Sequence, residues 1–459
     1  MSGSNGWRRG GHPYFPEFDT PQTNFGRASG TDFEQLGQFY GKFSAGPWDL
    51  TAGLSRRAKG NPAALFGADF NDPANRQTDA ISFFSLNYQK GLSPTQQLNV
   101  RLSQSTYDYG GIYVYSDAAT QSRSINDDSA RGSHWNVEVR LLSAFSASHG
   151  LVTGMEIQNN YQGDQISYFE SPTAPAVEER HATKSLGVFV QDQYQFNEQV
   201  SLSAGLRYDK ATGSEANWSP RLGVVCMPSP RTVWKFLYGS AYRAPNQYEL
   251  NYAFPDYQLS NPGLKRETIR TAEATIEHYL SRQTRILGSV YVYRMADPIA
   301  QVTDAETGLL QFRNGDQIRA QGLELEAEQQ WDTGARLRAS VTTQRALDAN
   351  GTELSSSPRH MAKLNLSAPL FHWPLRLGIE GQWLAKRKTE LGTTVGGSGI
   401  VNVTLWRPEA RDGVDVSASV FNLLNRRFAD PVGLDPGVPA RDRIIQDGRT
   451  FRLAVSYYF

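Results

Sequence analysis

The side chains that could carry catalytic chemistry are scattered through the sequence without the spacing that catalysis requires. The seven histidines show no metal-ligand spacing, and no HExxH, GxSxG, P-loop or GxGxxG arrangement occurs. Asp69, Asp72 and Asp79 share one polar stretch and could bind Ca²⁺, but an ordinary solvated loop explains them better. We therefore predict no catalytic residue, no cofactor and no metal site, and a protein that is not an enzyme.

The polar connection from Tyr242 to Tyr257 has instead the composition of a ligand-binding surface. Rigid aromatic rings supply contact area, and an arginine supplies pairing with an anion. An alternative is that the same rings belong to an aromatic girdle at a membrane interface, and both interpretations stay open. The candidate ligand-binding residues are Tyr242, Arg243, Tyr248, Tyr252, Phe254 and Tyr257.

The composition excludes several classes of protein. The chain has 459 residues, a formal net charge of zero and an apolar fraction of 39%. Balanced charge gives no electrostatic basis for binding nucleic acid. No apolar run approaches the roughly 18 residues of a transmembrane helix. The single Cys226 permits no internal disulfide.

Apolar and polar residues alternate at a period of two along much of the chain, which predicts strands. Val200, Leu202 and Leu206, for example, alternate with Ser201 and Arg207. A polar face that persists over so many strands needs a continuous wet side, as in a barrel with a lipid-facing exterior and a polar interior. The final strand repeats the pattern, with one face made of Phe451, Leu453, Val455, Tyr457 and Phe459.

The lengths of the connections also favour a membrane barrel. Short turns alternate with long polar connections, as periplasmic turns alternate with extracellular loops in such barrels. A soluble sandwich or propeller has no reason to keep every second connection long. The predicted fold class is therefore all-β, a transmembrane antiparallel β-barrel with about 19–20 strands present. The long connections lie at 57–78, 108–130, 161–181, 244–265, 297–308, 346–357, 388–397 and 426–448.

Five motifs, in this order along the chain, resemble those of TonB-dependent outer-membrane receptors. Each motif is weak alone, but the ordered set is specific, and the resemblance extends over nearly the whole chain. The motifs are the hairpin VFVQDQY (188–194) with VSLSAGLRYD (200–209), WSPRLG (218–223) followed by YGSAYRAP (238–245), NPGLKRE (261–267) with Glu273, VFNLLN (420–425), and the terminal Phe459.

The resemblance implies a barrel of about 22 strands that is filled by an N-terminal plug. In this family the plug engages TonB, which couples uptake of scarce ligands to the proton gradient of the inner membrane. The sequence shows no plug, no TonB-engaging motif and no signal peptide. We therefore expect two parts, an extracellular-loop remnant at 1–32 and the receptor-like barrel at 33–459. The resemblance also implies that Val455, Tyr457 and Phe459 belong to a signal for barrel assembly.

The favoured hypothesis is an outer-membrane receptor barrel for TonB-dependent uptake of a metal chelate, such as a siderophore, or of a similar bulky nutrient. The alternative is a non-energised barrel remnant or passive pore. A soluble β-rich binding protein or enzyme is a third and weaker hypothesis. The expected partners are outer-membrane lipid, the barrel-assembly machinery and a small ligand such as an iron chelate, with TonB only if a plug is supplied by missing sequence.

Overall fold

The computed structural model of the protein describes residues 2–117, 120, 122–170, 175–370, 373–407, 413–433 and 441–457. Most of these residues are in β-strands, and one antiparallel sheet contains 21 strands. Each wall strand pairs with the next wall strand in the sequence, from the first strand to the last. This meander is the topology of a transmembrane β-barrel, which confirms the predicted fold class.

The strands of the first half of the wall differ greatly in length. The first seven are β1 Ser2–Arg9, β2 Phe33–Ala45, β3 Trp48–Gly60, β4 Arg76–Ser93, β5 Gln96–Ser116, β6 Arg123–Ser146 and β7 His149–Phe169. They are followed by β8 Pro175–Arg180, β9 Thr183–Gln195, β10 Val200–Ala211, β11 Asn217–Ser229 and β12 Thr232–Arg243. Short 3₁₀ helices lie at Pro16–Phe18, Pro21–Gly26 and Leu65–Gly67.

The second half of the wall alternates with smaller elements from the extracellular loops. After the helix α1 Gln247–Asn251 come β13 Gln258–Leu259, β14 Glu267–Tyr279, β15 Thr284–Ala296, β16 Ile299–Thr303, β17 Leu310–Asn314, β18 Ile318–Gln330 and β19 Arg336–Leu347. The remaining strands are β20 His360–Leu370, β21 Leu375–Leu384, β22 Arg387–Lys388, β23 Thr394–Val395, β24 Ser398–Arg407, β25 Val414–Phe421, β26 Ala429–Pro431, β27 Arg443–Ile445 and β28 Thr450–Tyr457.

The strand β8 is an addition to β7 at the extracellular end, so twenty strands follow one another around the wall. This number agrees with the predicted 19–20. Three small sheets lie outside the wall, formed by β13 with β16 and β17, by β22 with β23, and by β26 with β27. Among the described residues, no helix has the length and apolarity needed to cross a membrane.

Alternate side chains of each wall strand face opposite sides of the sheet. On β9 the outer side chains Val188 and Val190 are exposed by 45% and 42%, as expected for groups that contact lipid. On the paired strand β10, Arg207 and Asp209 point inward, where their side chains form an ion pair. The period of two in the sequence thus separates an apolar exterior from a polar interior.

Charged side chains on the inner face pair across neighbouring strands. Lys235 contacts Glu277 at 3.2 Å, and Glu277 in turn lies 3.4 Å from Arg285. Arg285 continues the series to Glu326 and Glu328, each at 3.0 Å. Because each carboxylate has a cationic partner, this part of the lumen holds a high density of charge without a large net charge.

The long strands β5, β6 and β7 rise beyond the membrane-spanning part of the wall. They contain 21, 24 and 21 residues, whereas a membrane-spanning strand needs only about 9–11. The predicted loops at 108–130 and 161–181 are therefore largely wrong, because most of these residues continue the strands. Outside the membrane both faces of a strand contact water or loops, so the lipid-facing apolar pattern disappears while the pairing continues. We call this projection the tall wall.

The strands β1 and β28 form the two edges of the sheet in the part of the chain that the structure describes. The prediction that 1–32 is only a loop remnant is wrong for Ser2–Arg9, which pairs with β2 over its whole length. The serine and glycine residues of β1 do not give the alternation of apolar and polar side chains that predicts a strand. An ion pair of 2.5 Å joins Arg8 of β1 to Asp447, which lies in the segment that precedes β28.

The residues of the predicted assembly signal lie on β28 or beyond it. Val455 is on the outer face and is 64% exposed, alongside Leu453 at 73%. Tyr457 ends the strand. Phe459 lies outside the described residues. The assembly role of the three stays a prediction.

Candidate functional site

The helix α1 is fixed at the extracellular end of β12 by a capping box. The side chain of Asn246 accepts a hydrogen bond of 2.9 Å from the backbone N–H of Glu249, and Glu249 accepts one of 2.8 Å from the N–H of Asn246. This reciprocal pair satisfies two amide groups that a helix start leaves free. A helix of only five residues therefore has a defined position above the lumen.

The predicted ligand-binding residue Arg243 is already held by two carboxylates. Its guanidinium donates to Glu249 at 2.8 Å and to Glu267 at 2.6 Å. The first contact joins β12 to α1, and the second joins β12 to the start of β14. Arg243 thus positions the loop that follows it, and its charge is neutralised within the protein.

The segment 244–266 and the hairpin of β16 and β17 form one body, which we call the outer loop unit (244–266 and 297–314). The strand β13 pairs in parallel with β17. The side chain of Gln258, only 1% exposed, accepts hydrogen bonds from Gln301 at 2.9 Å and from the hydroxyl of Tyr248 at 3.2 Å. Asn261 donates to the carbonyl of Phe312 at 2.8 Å. These bonds join the two loops.

The turn of this hairpin is held by Asp304, whose carboxylate accepts hydrogen bonds from the backbone N–H and the hydroxyl of Thr307. These bonds, with the nearby Arg313, hold the pKa of Asp304 below its ordinary value. The carboxylate is therefore charged at neutral pH. The outer hairpin is a rigid part of the outer loop unit.

Aromatic rings pack the outer loop unit against the tall wall. The rings of Tyr248 and Tyr252 lie 4.8 Å apart, and Phe254 lies 6.0 Å from Phe169 of β7. Tyr257 meets the ring of Phe66 edge to face at 6.1 Å. Three predicted binding residues, Tyr252, Phe254 and Tyr257, thus take part in a packed cluster. Their role in ligand binding stays a prediction.

The carboxyl group of Asp128 on β6 lies beside this cluster. Burial raises its pKa to about 6, and the neighbouring Asp127 adds to the effect. The same environment acts on Tyr248, because burial and the charge of Asp128 raise the pKa of that phenol to about 12. The contact between the tall wall and the outer loop unit therefore contains a carboxyl group that titrates in the mildly acidic range.

A large cavity opens at the extracellular end of the lumen, between the tall wall and the outer loop unit. We call it the mouth cavity, and its volume is about 1480 Å³. Of the six predicted binding residues, Tyr242 and Tyr248 line it. Its other walls come from β6, β7, β10, β14 and the turn after β10. A cavity of this size exceeds that of a typical small-molecule site of about 300–1,000 Å³ and suits a bulky solute.

Arg207 lies at the boundary between the mouth cavity and a second, deeper cavity of about 540 Å³. Its guanidinium contacts Glu156 and Asp209, each at 2.8 Å, and lies 5.6 Å from the centre of the Phe189 ring. Gly187 leaves the necessary room, since a Cβ atom there would be 2.3 Å from the guanidinium. A side chain at this position would displace the Arg207 guanidinium.

Sequence reasoning missed the mouth cavity as a set of residues. Its lining includes His134, His181, Asn246 and Arg266, which are distant in the sequence and belong to different strands or loops. Only the pairing of successive strands into one wall brings them together, so no spacing in the sequence identifies them. Among the described residues, no group of three or more His, Cys, Asp or Glu side chains could hold a metal ion.

Comparison with known proteins identifies relatives of the chain. The family model described as TonB dependent receptor-like, beta-barrel, matches residues 6–423. The ferric enterobactin receptor of Pseudomonas aeruginosa is 27% identical over 194 residues, which are 37% of this chain and 25% of that receptor. The match therefore spans about a quarter of that relative's length.

Solved structures of outer-membrane receptors share the fold. The copper transporter OprC superposes with a TM-score of 0.76 at 14% identity, over 100% of this chain and 75% of that chain. The pyoverdine outer membrane receptor FpvA from Pseudomonas aeruginosa PAO1 gives 0.74 at 13% identity, over 94% and 72%. The ferric yersiniabactin uptake receptor FyuA from Yersinia pestis gives 0.74 at 15% identity, over 96% and 73%.

The similar proteins are receptors and transporters, and none of those named is an enzyme. The family match covers the wall from β1 to β25 and includes the strands that surround the mouth cavity. The sequential antiparallel wall, the polar interior and this match together lead to one conclusion: the chain belongs to the TonB-dependent receptor family and comprises its β-barrel part.

Proposed function

We propose that the protein is the barrel of an outer-membrane receptor that admits a bulky solute, such as a metal chelate, through the mouth cavity. The observation that carries this proposal is the position of that cavity at the extracellular end of a receptor-family wall. The names of the relatives point the same way, because they refer to ferric siderophores and to copper. Outer-membrane lipid would cover the apolar outer face.

The proposal is tested by binding of a radiolabelled ferric chelate to outer-membrane vesicles that contain the protein. We expect saturable binding that vesicles without the protein lack. Tyr248→Ala should weaken it by about tenfold, because an aromatic contact in a binding site contributes on the order of 1–2 kcal/mol. The control is Trp373→Ala, which removes an exposed ring far from the cavity near a periplasmic turn. Equal loss in both variants would contradict the proposed site.

Coupling to TonB is part of the proposal only if sequence outside 1–459 supplies a plug. The competing function is a passive pore, which the contact between the mouth cavity and the deeper cavity at Arg207 favours. Planar-bilayer recordings separate the two. Steady conductance without any ligand supports the pore, whereas a closed bilayer with saturable chelate binding supports the receptor. We also propose that the barrel-assembly machinery recognises the last residues of the sequence through Val455, Tyr457 and Phe459.

A further inference from the structure

The charged side chains that line the mouth cavity are balanced in sign. Of the described residues that line it, four are basic and four are acidic, and the two histidines add no charge when neutral; the side chains of one residue of each sign, Arg131 and Asp164, lie on the outer face of the wall, so the balance is kept. A site built for a multiply charged anion would show an excess of arginine and lysine. The basic residues are Arg131, Arg207, Lys265 and Arg266, and the acidic residues are Asp164, Asp209, Glu215 and Asp297.

The arginines of the cavity are also engaged by carboxylates of the protein. Arg207 is held by Asp209 and Glu156. Arg266 donates to the carbonyl of Ala216 at 2.9 Å and lies 3.6 Å from Glu215. A guanidinium that is already paired has few donors left for an anionic ligand. An entering anion would have to break these pairs or lose its hydration without compensation.

The remaining lining offers neutral hydrogen-bonding groups and aromatic rings. Amide side chains come from β7 and from the start of α1, and hydroxyl groups come from β9, β14 and the turn after β10. The rings of Tyr107, Tyr242 and Tyr248 add flat apolar surface. Hydrogen bonds from such a lining can replace those that water makes to a polar solute, and no opposite charge is required. The amide residues are Asn160, Gln162, Gln165, Asn246 and Gln247.

We propose that the mouth cavity selects a bulky polar solute of near-zero net charge, which neutral donors and acceptors and the tyrosine rings hold. In terms of ferric chelates, this means a neutral tris-hydroxamate complex in preference to a multiply anionic tris-catecholate complex. The inference rests on the proposed function, because it concerns the ligand class of the same cavity. The proposed ligand class differs from the ligand in the name of the ferric enterobactin receptor. That receptor matches only 37% of this chain.

The test uses the full chain in outer-membrane vesicles and two probes, a neutral ferric tris-hydroxamate and an anionic ferric tris-catecholate of similar size. We expect the neutral chelate to bind about tenfold more tightly or better. Its affinity should change little between low and high salt, because no ion pair with the ligand is screened. Tighter binding of the anionic chelate, with affinity that falls as salt rises, would overturn the inference and leave the proposed function intact.

A variant that removes one negative charge from the cavity provides a second test. Glu215→Gln removes a carboxylate whose side chain is 90% exposed, so folding should be unaffected, and it frees Arg266 for a ligand. We expect the affinity for the anionic chelate to rise by about threefold to tenfold relative to that for the neutral chelate. The matched control is Glu198→Gln, an exposed acidic residue in a periplasmic turn, which should leave this ratio unchanged. An unchanged ratio in Glu215→Gln would contradict the charge argument.

Absence of saturable binding for both chelates would overturn the proposed function, and the inference with it. That outcome is distinct from preference for the anionic chelate, which overturns the inference alone.

Discussion

Arg243 donates to two carboxylates and so holds the outer loop unit on the wall. Its partner Glu249 is only 8% exposed. Arg243→Ala would leave this buried carboxylate without its cation, at a cost of about 1–3 kcal/mol. We expect hydrogen exchange at 246–252 to accelerate, with a smaller effect for Arg243→Lys, which keeps the charge but loses the two-pronged contact. Exchange as slow as in the unchanged protein would show that Arg243 does not hold the loop.

Asp128 makes the contact between the tall wall and the outer loop unit dependent on pH. Its pKa is about 6 in the folded protein and 3.8 ordinarily, so the folded state binds the proton more tightly. Protonation of Asp128 therefore stabilises the folded contact. This stabilisation is complete below about pH 4 and is lost as the pH rises through about 6. We expect protection of the loop amides to fall between pH 5 and pH 7.5, after correction for intrinsic exchange. Asp128→Asn should abolish this dependence. Asp127 and the phenols of Tyr109, Tyr113, Tyr248 and Tyr252 surround the group.

At the scale of elements, the tall wall depends on Tyr113, which is 2% exposed. Its hydroxyl accepts a hydrogen bond of 2.7 Å from Gln77, and its ring meets Phe66 edge to face at 5.2 Å. Tyr113→Ala should destabilise this region by about 3–5 kcal/mol, the usual cost of removing a buried aromatic ring. Faster proteolysis of the connection at 61–75 is the measurement. Tyr113→Phe keeps the ring and should cost much less, so equal effects would contradict the packing argument.

The elements also show how far the sequence could predict the structure. Strands with an apolar lipid-facing side, such as β10 and β28, were predicted because lipid imposes a strict period of two. The upper parts of β5 to β7 were predicted as loops, because water on both faces removes that constraint. For the candidate site, two of the six predicted residues, Tyr242 and Tyr248, line the mouth cavity, and their role in ligand binding stays a prediction. It could not show that Arg243 is paired, because Glu249 and Glu267 reach it only through the fold.

At the scale of the whole molecule, the outer face should determine insertion into the membrane. Val290 lies in the middle of β15 and is 52% exposed on that face. Val290→Arg should reduce the stability of the barrel in lipid by about 2–4 kcal/mol, because it would place a charge near the bilayer centre. Refolding into lipid vesicles measures this effect. The control Ile445→Arg changes an equally exposed apolar residue in an extracellular hairpin. Similar losses in the two variants would contradict the orientation of the wall.

The sequential pairing of the wall has a consequence for how such proteins change over evolutionary time. In the described part of the chain, the wall strands pair in sequence order from β1 to β28, and β7 has β8 as an additional partner. Duplication or loss of one hairpin would therefore alter only the ladders at the point of change. It would leave every other ladder and the direction of every strand as before. The number of wall strands can therefore change by two at a time without changes in the rest of the wall.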